Sequence, residues 1–237
     1  MMIGLRRVQH SLFSSSIVLN DVVRTVNNIK QRYPDIFDGD PTILPMPDDA
    51  PPQIPFVQLT DKKECYQLNI SRSRVDFFFH NKQMIGKIHL PVLQLYDIFL
   101  QVFKIMYDEI KAPFNRCAVV VEWAIALDSG SAAEFLKKKY IDSHAPYRNP
   151  FAVRLNYLSR EVFDDFTTNT WVNLRSARKS NAPEENNFII VEIDYNTIPE
   201  EKYEFNHDAI AKLIKQYYER MNSGIDEHEL YLRNSNV

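Results

Sequence analysis

The sequence predicts an α+β fold. A single domain over residues 1–237 would hold a mixed, mostly antiparallel sheet, with a long helix and a C-terminal helix packed on it. Strict apolar–polar alternation on both sides of a polar turn, residues 66–79, reads as a β-hairpin. A stripe from Val92 to Ile110 recurs at helical spacing. The strand-like segments come in groups joined by short turns, whereas a parallel sheet would alternate strands with helices.

From the N-terminus, Val8, Leu12, Phe13 and Ile17 fall within a first strand over 5–17. The first 20 residues lack acid and are rich in serine, as a transit peptide is. We read them instead as part of the folded protein in a reducing cytoplasm. Asn20 stands as N-cap to a helix carrying Val22, Val26, Ile29 and Tyr33, which stops before Pro34. The stretch PDDAPPQIPF, 47–56, holds four prolines in ten residues. One strand and one helix precede it, too little to bury a core alone, so it is a strap within one domain.

A short strand at 56–59 leads to the hairpin, with Tyr66, Leu68 and Ile70 on one arm and Val75, Phe77 and Phe79 on the other. The long helix follows, with Pro91 suited to its first turn. CAVVVEWAIAL, 117–127, is apolar on both faces, which predicts a central strand covered on both sides. Ser131 and Glu134 form a capping box for a helix to Tyr140. Strands at 151–157, 166–174 and 188–195 come next, and a helix carrying Ile210, Leu213, Ile214, Tyr217, Tyr218 and Met221 ends near Gly224. Each half has strands flanked by helices, so an internal duplication with its boundary near 128–131 stays open, without a residue repeat to support it.

Several chemistries are set aside by composition. The chain has 5 glycines, all isolated, so no loop can cradle a nucleotide phosphate in the manner of a P-loop or Rossmann turn. The 6 histidines make no metal-binding spacing, and no metal or cofactor is implied. Cys65 and Cys117 read as buried small hydrophobes in strands. No run is long and apolar enough to cross a membrane. A net charge of −3 gives no global attraction to nucleic acid, so such binding needs a local patch.

Arg175, Arg178 and Lys179 crown a polar loop, and Arg72 and Arg74 lie at another hairpin tip. Should the tips cluster in space, they form a phosphate-binding edge. Glu122 stands on a strand read as doubly covered, where a carboxylate needs a partner such as Arg154 or Arg74. Glu192 and Asp194 share one face of FIIVEIDY and could hold a divalent metal, although a solvated edge strand is the plainer reading.

The order of features resembles that of a sporadically distributed family of uncharacterised bacterial proteins, some encoded near mobile-element or defence genes. The features are a helix ending in YP at 33–34, the proline passage, LNISRSRVDFFF, an aromatic-striped helix, an RxxVVxW-like strand from Arg116 and a late helix. The resemblance implies a bacterial or phage origin and no catalytic residue.

Two functions follow. The first is a non-catalytic recognition or accessory protein working through protein–protein contacts, in a bacterial or phage conflict system. It fits the lack of a reactive constellation and an aromatic content of 12%, since interface hot spots favour Tyr, Trp and Arg. The second binds nucleic acid, or cleaves it with a metal, using Arg175, Arg178 and Lys179 with Glu192 and Asp194. Self-association into a homo-oligomer through an exposed sheet edge stays open.

Overall fold

The structure is a computed structural model that describes residues 2–82, 92–109, 114–141, 150–178, 187–201 and 203–233. Pro91, Ile110 and Lys179 of the sequence reading lie outside the described residues. The elements run β1 (Met2–Ser14), α1 (Val22–Arg32), β2 (Thr42–Ile43), β3 (Pro55–Thr60), β4 (Tyr66–Ser71), β5 (Arg74–His80) and α2 (Val92–Glu109). They continue β6 (Phe114–Ala126), α3 (Ala132–Tyr140), β7 (Arg154–Phe163), β8 (Phe166–Ala177), β9 (Phe188–Thr197) and α4 (His207–Arg233). The fold is α+β, as expected: one antiparallel sheet of nine described strands in the order β2-β3-β4-β5-β1-β6-β9-β8-β7.

The order of elements repeats. β1-α1 followed by β3, β4, β5 and α2 matches β6-α3 followed by β7, β8, β9 and α4. In each unit the first strand pairs with the last, and the two first strands pair antiparallel at the centre, Val8 opposite Val121. The strand order is therefore symmetric about the β1–β6 seam, apart from the extra edge strand β2. In element order, α2 closes the first run and β6 opens the second.

The described helices bury their stripes on one face of the sheet. His10 of β1 stacks on Phe99 of α2 at 4.1 Å and on Tyr218 of α4 at 5.7 Å. Tyr195 of β9 stacks on Tyr217, and Phe103 of α2 meets Phe114 of β6. Ala132, Ala133 and Leu136 of α3 join the same apolar cluster as Val172 and Leu174 of β8. Each large side chain buried there contributes about 1.5–3 kcal/mol before its entropy is counted.

β6 is central, between β1 and β9, but only its Cys117–Val119–Val121 side lies under helices. The expected cover on its second side is absent among the described residues. Ala118, Ala124 and Ala126 are nevertheless buried on that side.

Local boundaries shift for local reasons. Asp21, not Asn20, caps α1, its Oδ1 accepting from Arg24 N at 2.9 Å. α4 continues past Gly224 to Arg233. The third-last strand is displaced from 151–157 to 154–163, where it pairs with β8 through the two-residue turn Asp164–Asp165. Cys65 precedes β4 and is half-buried, while Cys117 is buried in β6.

The proline stretch joins β2 to β3 and is tied down by the β4–β5 turn. Arg72 donates to the carbonyls of Asp48, at 2.9 Å, and Ala50, and Ser73 Oγ donates to Pro52 O at 3.1 Å. Just before β2, Gly39 N donates to Thr60 O at 3.0 Å. A Cβ at Gly39 would lie 2.7 Å from that same oxygen, so the approach requires glycine.

Candidate functional site

The helix-free face of the sheet is polar along most strands, and its charged groups are organised around two buried carboxylates. On β5, Asp76 is 2% exposed. It accepts from Ser11 Oγ at 2.6 Å and Gln9 Nε2 at 3.3 Å, and ion-pairs with Arg74 Nε at 2.7 Å. Glu122 on β6, 7% exposed, is held by two arginines. Arg6 Nη1 lies 2.8 Å from Oε1 and Arg175 Nη2 lies 3.1 Å from Oε2. The expected partners, Arg154 and Arg74, are elsewhere: Arg154 donates to Asn173 Oδ1 at 3.1 Å and Arg74 serves Asp76.

A β-bulge delivers Arg6. Leu5 pairs with Trp123 and Arg7 with Glu122, so Arg6 is an extra residue opposite one step of β6. A bulge places two residues against one and breaks the alternation of the strand. The RR dipeptide can then serve one face: Arg6 reaches Glu122, and Arg7 Nη2 reaches Glu192 Oε2 at 3.2 Å. Sequence reasoning missed both arginines, since period-two alternation would send them to opposite faces.

Register separates the cations that were expected to cluster. Arg74 pairs with Phe13 near one end of β1, whereas Arg7 is opposite His80 and Glu122 towards the other. The six-residue offset corresponds to about 20 Å along a strand. Arg72 and Arg74 thus stand at the far end of the sheet from Arg175, and both are engaged with the protein itself. Arg178 lies over the ring of Phe151, 3.7 Å from its centroid. Of the four that are described, Arg175 alone enters the Glu122 network.

Glu192 and Asp194 do share a face, but β9 lies between β6 and β8, so the edge-strand reading fails. Glu192 is committed to Arg7. Asp194 accepts from Asn196 Nδ2 at 3.0 Å, and burial pushes its carboxyl above the usual range. Among the described residues no three His, Cys, Asp or Glu side chains group closely enough to hold a metal ion. No described helix is long and apolar enough to cross a membrane.

Above the Glu122 network the face dips into an open groove of about 750 Å³. Arg6, Arg7, Lys82 and Arg175 line it, with Glu64 and Glu122. His80 also lines it. Burial lowers its pKa, and the charges of Arg7 and Lys82 lower it further.

The sheet's two edges differ. β2 is two residues long and stands beside the proline strap. β7 is ten residues long with no described strand beyond it, and Val162 is 74%, Tyr157 48% and Leu158 43% exposed. Such an edge presents backbone donors and acceptors to any chain that can pair with it. Next to it, Trp171 of β8, 40% exposed, stands opposite Leu158.

No protein-family model, curated protein or solved structure matches the chain.

Proposed function

We propose that the protein is a non-catalytic recognition module that binds a partner protein by accepting one of its strands along β7. The observation that carries this reading is the ten-residue edge with Tyr157, Leu158 and Val162 exposed on it. Strand addition supplies main-chain hydrogen bonds, and side chains at alternate positions supply selectivity. Leu158, Val162 and the neighbouring Trp171 share a face and form the apolar part of the contact. Natural sheets shield their edges with charge, proline or short strands. β7 carries Arg154, Arg160 and Glu161, but Arg160 is hydrogen-bonded to Asn169 and Glu161 pairs with Arg220 of α4. The resemblance in the order of features supports a bacterial or phage conflict system as the setting.

The test is affinity purification from cells expressing the neighbouring genes, using wild type and a Leu158→Lys/Val162→Lys variant, half of each sample treated with nuclease. The proposal expects a defined protein that survives nuclease and is lost with the variant. The same protein recovered with both chains, recovery abolished by nuclease, or no specific protein would each overturn it. Light scattering on the purified chain shows whether that partner strand comes from a second copy.

A further inference from the structure

The Glu122 network has a structural explanation: a buried carboxylate needs charged partners. That explanation does not account for the groove above it or for its surplus of cations. Four cationic side chains line the groove against the two carboxylates Glu64 and Glu122. Adding Glu192, which holds Arg7, still leaves the cations in excess. Arg6 and Arg175 sit on the two oxygens of one carboxylate, so their guanidiniums are neighbours held in place from beneath. Each uses a single Nη in that pair, and a guanidinium carries five N–H donors. Arg7, paired through Nη2, adds a third fork, and Lys82, paired with Glu64 at 3.0 Å, an ammonium. His80 stands beside them, its pKa lowered first by burial and then by the charges of Arg7 and Lys82.

We infer that this groove is a binding site for a phosphate-bearing ligand, its oxygens held by Arg6, Arg7, Arg175 and Lys82. Guanidinium forks match both carboxylate and phosphate. Three of them and an ammonium around one depression match the several oxygens of a tetrahedral phosphate better than the two of a carboxylate. The size also fits, since sites for small ligands commonly enclose about 300–1,000 Å³. Two sources present that phosphate, a free nucleotide and the backbone of a single-stranded nucleic acid, and the titration distinguishes them. This site is separate from the β7 edge and stands or falls independently of it.

The experiment is calorimetric titration of the full chain with inorganic phosphate, nucleoside mono- and triphosphates, and single-stranded DNA and RNA decamers, at low and physiological salt. Arg7→Gln and Lys82→Gln should each weaken binding about tenfold, whereas Lys215→Gln on α4 should leave it unchanged. Glu64→Gln should tighten binding severalfold, because it removes a carboxylate that competes for Lys82. Glu64 and Lys82 are largely exposed, so these two variants keep the fold whatever happens at Arg7. Saturation by nucleotides, with decamers binding no better, identifies a small ligand. Tight binding confined to decamers identifies nucleic acid. No binding of any probe at low salt, or affinities indifferent to Arg7, Lys82 and Glu64, would overturn the inference.

Discussion

Tyr218 Oη lies 2.7 Å from His10 Nε2, joining α4 to β1 across 208 residues of sequence. Burial pushes the phenol's pKa well up, so the hydroxyl keeps its proton beside the imidazole. The imidazole, stacked on Phe99 and 1% exposed, is neutral, its pKa lowered by burial to about 3.

Acid should therefore destabilise the protein through this pair. The unfolded chain protonates His10 near pH 6.5, but the folded one does not until about 3. Between these values the unfolded state binds the extra proton, so stability falls as pH drops. The loss reaches roughly 5 kcal/mol at the lower limit. Urea unfolding from pH 7.5 to 4 measures it. His10→Phe, which keeps a ring on Phe99, should lose that part of the slope, and equal slopes in both proteins would refute the assignment.

Glu122→Gln should cost about 2–4 kcal/mol. Breaking a buried ion pair by removing one partner costs up to about 5 kcal/mol, and the figure is reduced here because both arginine heads can reach water. Denaturant unfolding checks the loss. A double-mutant cycle with Arg175→Ala should return a coupling of about 1–2 kcal/mol, since the two changes share one contact. Additive effects would mean that the arginine is merely nearby.

Arg72→Ala should free the proline strap while leaving the sheet intact. Loss of its bonds to Asp48 O and Ala50 O should cost about 1–2 kcal/mol. Limited proteolysis should cut within 47–54 several times faster than in wild type. An unchanged cleavage rate would assign the anchoring to Ser73 and Pro52 instead.

How much was legible depended on the range of the signal. Period-two alternation located β4 and β5 to within a residue, and Ser131 marks the start of α3, because these patterns are set by neighbours within a turn or a strand. The same reasoning misplaced β7. Its residues are mostly exposed on both faces, so no alternation of buried and exposed positions marks it. It also placed Glu192 and Asp194 on an edge strand, since a sequence states which residues share a face but not which strand lies alongside.

The sequence by itself determined the α+β class, the hairpin, the apolar stripes of the helices and the need of Glu122 for a partner. Those follow from periodicity and from the cost of burying charge, both local or single-residue properties. The tertiary structure decided which residues meet: β1 pairing with β6 at the centre of the sheet, the bulge that serves Arg6 and Arg7 to one face, and the register that parts Arg74 from Arg175. Each depends on strand order and register between segments far apart in the chain, where a one-residue slip exchanges every partner.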